Sequence, residues 1–454
     1  MISTKITKRI LIAIIDFIIL SISLYISLSI RDLELKTRAE FLRIFYPFLI
    51  IIFSNILVFY IYGLYDKMSV KIYTELNKRI ITSQILSSII GAIIFYSTSI
   101  FAIAPKTILI IYIAISSILI FLFRKNIRLI IKSKNDIKLL IVGEGNELFE
   151  LKEEILNNKI LNIKKIDIIN LSNDGGLDIY HKVKSRVEKE DFNMLAINMH
   201  HPHIKNSISL FYELLLERVN VVNFADLYED IMGKVPLQNI DAGWFFSNLY
   251  NKNDSFYKSI KRFIDLSLGG VAFLISLIFY PFIYIGLKIQ DGGSLFYISE
   301  RIGKNNEVIE IYKFRSMTDK KKNEIDSRDK NEKNRLTKFG KFLRKTRIDE
   351  LPQLMNVVNG EISLIGPRPE TPELVREYSN QIAFYGIRHT VTPGLSGYAQ
   401  IYQEQSKVPK FGVDTEATKE KLAYDIYYLK HRSLILDISL ALKTIKNLIG
   451  RSGV

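Results

Sequence analysis

Four long apolar stretches within the first 125 residues constrain this chain more than any other feature. They run at about Ile10–Ile30, Ile44–Tyr62, Ile80–Ile103 and Thr107–Phe123. Each is close to the ~20 residues that an α-helix needs to cross the hydrocarbon core of a bilayer. A buried helical bundle of a soluble protein is the alternative, but four such runs in series leave almost no polar face for water. Residues 1–130 are therefore predicted to form a four-helix transmembrane bundle.

Basic residues between these stretches predict how the chain is oriented. Lysine and arginine cluster before the first stretch, between the second and third, and after the fourth, whereas the loop after the third offers only Lys106. Such residues mark the cytoplasmic side, so the N-terminus and everything after Phe123 are expected there. Because much of the net charge of +15 is juxtamembrane, membrane orientation explains it better than nucleic-acid binding does, and we expect no nucleic-acid partner. The absence of cysteine excludes disulfides, thiolate metal sites and cysteine nucleophiles.

Short strand-like and helix-like runs alternate over residues 136–235. The strand candidates are Ile137–Val142, Lys164–Asn170, Asn193–Ile197 and Asn220–Phe224. Such alternation predicts a parallel sheet of Rossmann type. Gly143 and Gly145 follow the first strand, but no third glycine completes the dinucleotide fingerprint. We therefore favour a non-binding or ligand-sensing domain over a dinucleotide site.

A cluster of three histidines, His200, His201 and His203, lies in this middle domain. A metal site is one interpretation. No carboxylate or further histidine follows at ligand spacing, so a polar loop opened by Pro202 is the preferred one.

A fifth apolar segment, residues 262–289, follows a predicted linker over residues 236–257. If it crossed the bilayer, the last 165 residues would lie outside the cell. Pro281 would kink a helix in its second half, and basic residues flank both ends. We expect a kinked, re-entrant helix that enters and leaves on the same face, with Ser276 as a candidate partner for the backbone groups freed at the kink. A fifth true span remains the alternative.

The chemistry is expected in the polar C-terminal part, where Asp349-Glu350-Leu351-Pro352-Gln353 stands at a predicted helix start. There both carboxylates could converge on one cation or phosphate, have lowered pKa values and stay ionised, and ligate Mg²⁺ or act as a nucleophile. A capping pair is the other interpretation. The surroundings favour chemistry, because a basic amphipathic helix over Arg335–Arg347 precedes the pair and Arg368 follows it between two prolines. A glycine-rich turn at Pro393–Gly397 could bring backbone N–H groups close to a ligand.

These residues together resemble the bacterial sugar transferase family, the monotopic polyprenyl-phosphate phosphoglycosyl transferases. The matching motifs are Lys313–Met317, Arg347-x-Asp349-Glu350-Leu351-Pro352-Gln353, Gly360-Glu361-x-Ser363-Leu364-x-Gly366-Pro367-Arg368-Pro369-Glu370 and Pro393-Gly394-x-x-Gly397. The signature covers residues 258–450, the expected catalytic domain. The whole chain resembles the large form of the family. The predicted fold is thus a multidomain membrane protein: a transmembrane bundle, a Rossmann-like α/β domain, and an α-rich catalytic domain with a re-entrant helix.

The resemblance implies a reaction and a set of roles. A sugar 1-phosphate would pass from a UDP-sugar to undecaprenyl phosphate, leaving UMP, at the cytoplasmic face of a bacterial inner membrane. Asp349 would attack the sugar-linked phosphorus, Glu350 would assist at the metal or as a base, and Mg²⁺ would offset the diphosphate charge. Both carboxylates would be metal ligands. The residues expected to hold phosphate are Arg368, Lys313, Arg315 and Arg347.

Other classes of function remain to be weighed. Membrane nucleotide-sugar dehydratases share the front half of this architecture, but they need a complete Gly-x-x-Gly-x-x-Gly loop, which does not occur here. A non-catalytic membrane scaffold that kept the fold is the second alternative, and the intact pair and Arg368 argue against it. Capsule, exopolysaccharide and O-antigen synthesis all stay open as pathways, as does the identity of the sugar. We also consider a homodimer, since a large membrane region and a middle domain able to pair would favour one.

Overall fold

A computed structural model describes most of the chain, and it forms two compact units, residues 1–232 and 233–454. The described residues are 2–62, 64–65, 76–97, 106–131, 137–157, 163–171, 179–199, 201–205, 208–216, 219–250, 255–290, 292–317, 337–403 and 414–449.

The first unit begins with four long helices, which we label α1 to α4. They are Ile2–Asp32, Arg38–Ile61, Leu76–Ser97 and Lys106–Ile131. Within α1, α2 and α4 lie segments long and apolar enough to cross a membrane. The apolar part of α3 is the shorter run Ile80–Gly91, and the end of its predicted span lies outside the described residues. The prediction of a multidomain membrane protein is confirmed.

Two faces of α1 show why these helices suit a bilayer. Leu20, Leu24 and Leu28, each four residues apart, are fully buried in the bundle. Ile14 and Ile18 on another face are about half exposed, and apolar side chains on that outward face would meet lipid tails. Polar groups inside the bundle need partners, and Arg124 of α4 reaches Asp16 of α1 at 2.5 Å.

The rest of the first unit confirms the predicted parallel α/β sheet. Its four strands are β1 Ile137–Gly143, β2 Ile163–Asn170, β3 Met194–Ile197 and β4 Asn220–Asn223. Their order is β2-β1-β3-β4, and all neighbours run parallel. The helices of this region are α5 Asn146–Asn157, α6 Ile179–Glu190, α7 Pro202–Lys205, α8 Ile208–Leu216 and α9 Phe224–Met232. Apolar clusters cover both faces of the sheet, which explains why its strands are continuous apolar runs.

The histidine cluster is only partly described, because His200 lies outside the described residues. His201 is buried, and its Nε2 lies 3.4 Å from a carboxylate oxygen of Glu144. Among the described residues no group of three or more potential ligands comes together around a metal position.

The second unit starts with the segment predicted to be a linker, and much of it is packed. A 3₁₀ turn at Leu237–Asn239 leads to the short helix α10, Ala242–Phe245, and a π turn at Phe246–Tyr250. Asp241 caps α10 by accepting a hydrogen bond from the N–H of Trp244 at 2.8 Å. Trp244 is 1% exposed, so this segment contributes to the core.

The fifth apolar segment is a helix that breaks in the middle. Helix α11, Ser255–Ser276, passes through a 3₁₀ turn at Leu277–Phe279 into helix α12, Tyr280–Gln290. Pro281 lies directly after the break. Because proline has no N–H, Pro281 cannot donate a hydrogen bond to the carbonyl of Leu277, four residues earlier. That carbonyl accepts a hydrogen bond from the N–H of Tyr280 instead. Ser276, the partner we expected there, donates to the carbonyl of Phe273 at 2.6 Å.

Both arms of this broken helix pack on the same domain. Near the start of α11, Arg262 donates to the carbonyls of Val357 and Val358 at 2.7 and 2.6 Å. In α12, Gly286 lies so close to Phe339 that an added Cβ would stand 2.7 Å from its ring. Between these anchors the side chains on either side of the break are apolar and exposed, and the clearest are Leu274, Ile278 and Phe282.

Short strands and helices complete the second unit. An antiparallel pair is formed by β5 Phe296–Ile302 and β6 Val308–Phe314, and a parallel pair by β7 Ser363–Ile365 and β8 Gly394–Ser396. The helices are α13 Lys338–Thr346, α14 Gln353–Asn359, α15 Pro372–Gln381, α16 Tyr398–Tyr402, α17 Thr415–His431 and α18 Leu434–Ile449. Helix α13 buries Gly340 and Leu343 and exposes its lysines, as its amphipathic pattern predicts.

Candidate functional site

The Asp349-Glu350 pair lies on a tight turn between two helices. Helix α13 ends at Arg347, whose left-handed backbone (φ 56°) stops it, and residues 348–350 form one 3₁₀ turn. Helix α14 follows and ends at Gly360, which also has a left-handed backbone. Successive side chains on a 3₁₀ turn point about 120° apart. The two carboxylates are therefore exposed to different surroundings, although they are neighbours in sequence.

Glu350 is held by three basic side chains. Its Oε1 lies 2.7 Å from a guanidinium nitrogen of Arg368 and 3.6 Å from the ammonium of Lys313, and its Oε2 lies 3.8 Å from Arg347. Burial opposes ionisation of this carboxyl, but Arg368 and then Lys313 outweigh it and lower its pKa to about 2. Glu350 is therefore a fixed carboxylate at neutral pH.

Asp349 is buried as well, but within the part of the chain that the structure describes no cation contacts it as closely. Burial raises the pKa of its carboxyl above the ordinary value, the charge of Glu350 adds to that rise, and Lys313 and Arg344 oppose it. The expected lowering of the pKa at a helix start thus holds for Glu350, whereas the pKa of Asp349 is raised, because burial and the charge of Glu350 outweigh any attraction to the helix dipole.

Arg368 is positioned by a second layer of charges behind the site. Its carbonyl accepts a hydrogen bond from Arg388 at 2.9 Å, and Arg388 in turn pairs with Asp425 at 2.8 Å. The neighbouring Glu370 pairs with Lys421, and its carbonyl accepts from the N–H of Ile302 at 2.8 Å. These contacts fix the backbone on both sides of the guanidinium and so preorganise it, as the predicted binding of phosphate would need.

The glycine-rich turn serves this same positioning. An added Cβ on Gly394 would lie 2.0 Å from the backbone nitrogen of Gly366. The N–H of Gly394 donates to the carbonyl of Pro367, and the N–H of Gly366 donates to the carbonyl of Ser396, both at 2.9 Å. The close approach that these glycines permit is to the chain's own backbone beside Arg368, and an approach of the turn's N–H groups to a ligand stays a prediction.

The other predicted phosphate ligands have different surroundings. The side chain of Lys313 is mostly buried, and burial lowers the pKa of its ammonium. Arg347 is half exposed at the edge of the site. Arg315 is buried, and its guanidinium packs against Gly293, where an added Cβ would lie 1.4 Å away. The structure thus brings Lys313, Arg347 and Arg368 together around Glu350, while the contact described for the Arg315 guanidinium is with Gly293.

The donor set fits magnesium if substrate supplies part of the shell. Mg²⁺ is usually bound by one or two carboxylates together with substrate phosphates and water. Asp349 and Glu350 provide two carboxylates, and the pKa of Asp349, which burial and then the charge of Glu350 raise, is one that a bound cation would lower. Asp349 would be the principal protein ligand, since an oxygen of Glu350 already accepts from Arg368.

Sequence reasoning missed three contributors to this site. Arg388 supports the backbone of Arg368, and Asp425, buried in the interior of α17, pairs with Arg388. Arg344 lowers the pKa of Asp349 from the last turn of α13. For Asp425 the available signal was a charged residue at a position that a helical pattern would bury.

Comparison with known proteins agrees with this geometry. A family described as bacterial sugar transferase matches residues 256–451. An uncharacterized sugar transferase of Bacillus subtilis is 32% identical over 197 residues, which cover 43% of this chain and 90% of that one. The chain belongs to the bacterial sugar transferase family.

Two longer relatives have assigned activities. A UDP-N-acetylgalactosamine-undecaprenyl-phosphate N-acetylgalactosaminephosphotransferase of Aeromonas hydrophila is 34% identical over 237 residues, which are 52% of this chain and 53% of that protein. A UDP-glucose:undecaprenyl-phosphate glucose-1-phosphate transferase of Xanthomonas campestris pv. campestris is 30% identical over 243 residues, 51% of this chain and 48% of that protein. The chain thus matches about half the length of these relatives.

Proposed function

We propose that this protein transfers a sugar 1-phosphate from a UDP-sugar to undecaprenyl phosphate and releases UMP. The observation that carries the proposal is the difference between the surroundings of the two carboxylates, Asp349 and Glu350. Arg368 and Lys313 immobilise Glu350, while Asp349 has no such close cation among the described residues, which leaves its carboxylate for chemistry. The relatives' names support this reaction class, and the sugar is left open because those names differ in it.

The proposed reaction has two steps at one phosphorus. A carboxylate oxygen of Asp349 attacks the sugar-linked phosphorus of the donor and breaks its bond to the bridging oxygen, so that UMP leaves and a phosphosugar-aspartate forms. A phosphate oxygen of undecaprenyl phosphate then attacks the same phosphorus and releases the Asp349 carboxylate. A covalent intermediate lets two bulky anions use one site in turn.

The surrounding residues keep this site ready for anionic substrates. Arg368 and Lys313 place two positive charges next to Glu350, where phosphate oxygens of the donor can share them, and Arg347 adds a third at the rim. Bound Mg²⁺ would offset diphosphate charge and lower the pKa of Asp349. Burial excludes water that would otherwise hydrolyse the intermediate.

The membrane arrangement belongs to the same proposal. The broken helix α11–α12 supports a re-entrant segment, because both arms anchor on one domain and the apolar side chains lie around the break. The catalytic domain then faces the cytoplasm of a bacterial inner membrane, as the distribution of basic residues predicts. The protein would thereby initiate capsule, exopolysaccharide or O-antigen synthesis, with the Rossmann-like domain as an accessory and a homodimer as a possible assembly.

The decisive experiment measures UMP release from a panel of UDP-sugars with purified protein, Mg²⁺ and nanodiscs. With undecaprenyl phosphate present, one UDP-sugar should give continuous turnover. Without it, the same sugar should give about one equivalent of UMP per active protein and a phosphosugar adduct on the peptide that contains Asp349. Turnover that needs the lipid but shows no burst and no adduct would refute the covalent mechanism.

The matched variants are Asp349→Asn and Asp414→Asn. The first is nearly isosteric and should lose both burst and turnover while the protein stays folded. The second changes the exposed N-cap of α17, where asparagine caps as well as aspartate does, and should keep full activity. Near-normal turnover by Asp349→Asn would exclude Asp349 as nucleophile. If no UDP-sugar gives UMP with the wild-type protein, the non-catalytic scaffold becomes the better interpretation.

A further inference from the structure

The second unit contains a cavity that the proposed reaction does not use. Its volume is about 690 Å³, within the ~300–1,000 Å³ typical of small-molecule sites. None of Asp349, Glu350, Arg368 and Lys313 lines it. Its walls come from the helical turns before the broken helix, from the start of α11, from the 3₁₀ turn at Tyr385–Thr390 and from the end of α17.

The interior of this cavity is aromatic and apolar. Phe245 and Phe384 face each other with ring centroids 4.6 Å apart, and Phe246 and Leu249 extend the same wall. Phe384 has a left-handed backbone (φ 61°), a rare conformation for a bulky residue, and it is still 42% exposed. Phe246 is 66% exposed. Large aromatic side chains kept open to a cavity indicate an apolar ligand.

Positive charges stand at the same cavity. The charge of Lys261 is already paired, because its ammonium lies 2.7 Å from a carboxylate oxygen of Asp437. Lys258 and Lys304 are exposed and form no ion pair within the part of the chain that the structure describes. Lys304 lies in the same 3₁₀ turn as Asn306, and His389 fixes this turn by donating from Nδ1 to the side-chain oxygen of Asn306 at 2.7 Å. Burial lowers the pKa of His389 to about 4, so its imidazole is neutral. Arg432 lines the cavity as well, so an apolar interior is combined with several cations, of which Lys258 and Lys304 are exposed.

Its position points to the source of the ligand. Lys258 and Lys261 lie in the first two turns of α11, directly before the apolar segment that enters the membrane. Lysines at that level meet the headgroup region, where they attract anionic lipids. The wall formed by Ala242–Leu249 also precedes residue 256, so it lies outside the part of the chain that matches the family. The cavity is thus built partly by this chain's own preceding segment.

We propose that this cavity binds an anionic phospholipid of the bilayer, with its phosphate at Lys258 and Lys304 and part of an acyl chain beside Phe245 and Phe384. The lipid is a bound component and not a substrate, because the cavity contains none of the groups that would transfer phosphate. The proposal does not depend on the transfer reaction, and its test needs no turnover.

The chain's single tryptophan makes the test specific. Trp244 packs against Phe245 with ring centroids 5.2 Å apart, so a bromine atom on an acyl chain in the cavity would quench its fluorescence. The protein is placed in phosphatidylcholine nanodiscs that contain an equal small fraction of brominated phosphatidylglycerol, brominated phosphatidylcholine or brominated polyprenyl phosphate. Brominated phosphatidylglycerol should quench with an apparent preference of about fivefold or more over the zwitterionic lipid.

Charge variants complete the design. Lys258→Gln combined with Lys304→Gln should abolish the preference, while Lys189→Gln, at an exposed lysine of α6, should leave it unchanged. The emission maximum of Trp244 reports whether each variant keeps its fold, and the two single variants replace the double one if it does not. Equal quenching by both glycerophospholipids, or a preference that survives the double variant, would overturn the proposal. Quenching by brominated polyprenyl phosphate alone would also overturn it and would assign the cavity to the acceptor lipid.

Discussion

Replacing Arg368 by methionine tests the electrostatic design of the site most directly. The change removes the guanidinium that lies 2.7 Å from Glu350 and keeps a side chain of similar length. Glu350 would then be left mostly buried, with Lys313 at 3.6 Å as the nearest remaining cation of the described residues. A buried carboxylate that loses its main partner is destabilising, because desolvation is no longer compensated.

The expected size follows from the pKa of Glu350. Its ordinary value of 4.5 falls to about 2 in the folded protein, and each pKa unit corresponds to ~1.4 kcal/mol, so ionised Glu350 contributes ~3 kcal/mol to stability. That contribution depends mainly on Arg368. Arg368→Met should therefore lower the free energy of unfolding at pH 7 by ~3 kcal/mol, in line with broken buried ion pairs.

The sign of the pH dependence is fixed by the direction of the shift. A carboxylate with a lowered pKa in the folded state stabilises fully above its unfolded pKa, and this stabilisation is lost as pH falls towards the folded pKa. The difference between wild type and Arg368→Met should thus be largest at pH 7 and should shrink between pH 4.5 and about 2.

Denaturant unfolding followed by Trp244 fluorescence measures this difference, because the only tryptophan lies in the second unit. Arg347→Met is the matched control, since Arg347 is 3.8 Å from Glu350 and half exposed, and such pairs contribute ~1 kcal/mol or less. Adding Glu350→Gln to Arg368→Met should recover part of the loss by removing the unpaired charge. Equal effects of Arg368→Met and Arg347→Met, or a difference that does not change with pH, would refute the reasoning.

Three further predictions concern the nucleophile, the packing and the topology. Because Arg344 lowers the pKa of Asp349, Arg344→Gln should move the acid limb of the UMP-burst pH profile to higher pH. Lys345→Gln, on the same helix, is the control and should leave that limb in place. An acid limb that Arg344→Gln does not move would argue against Asp349 as the titrating group. Gly293→Ala places a Cβ 1.4 Å from the Arg315 guanidinium and should lower the free energy of unfolding in denaturant by ~1–3 kcal/mol. Gly270→Ala, whose new Cβ meets none of the described atoms within 4 Å, should change it little. Equal losses of stability in the two variants would contradict the packing of Arg315 on Gly293. A tag after Val454 should react with a membrane-impermeant label only in opened cells, and a tag at residues 98–105 should react in intact cells; external labelling of the first would exclude the re-entrant segment.

The sequence predicted those parts of the fold that depend on short-range patterns. The strands of the α/β sheet began and ended within one or two residues of the predicted bounds, since buried parallel strands are continuous apolar runs. The break after Ser276 followed from Pro281, whose effect on a helix is local. The packing of Trp244 could not be predicted, because the segment around it has no periodic pattern and acquires its core contacts only from distant parts of the unit.

The candidate site was predictable in its members and not in its electrostatics. The motifs identified Asp349, Glu350 and Arg368. Nothing in the sequence, however, indicates which of the two carboxylates Arg368 pairs with. The Arg388–Asp425 pair joins residues from different elements, and a long-range ion pair leaves no local signature. The pKa of Asp349 was predicted with the wrong sign for the same reason, since burial and the charge of Glu350 arise only from the folded environment.

The end of α13 explains how two adjacent carboxylates come to differ. On a continued α-helix, Asp349 and Glu350 would lie on the surface about 100° apart, both next to the lysines of a basic helix. Arg347 instead adopts a left-handed backbone, which costs about 1 kcal/mol or more for a residue with a Cβ. The resulting 3₁₀ turn directs Glu350 towards Arg368 and buries Asp349 away from any close cation of the described residues. Local strain of this kind is characteristic of functional sites, and here it produces the difference between the two carboxylates that the proposed role of Asp349 as nucleophile requires.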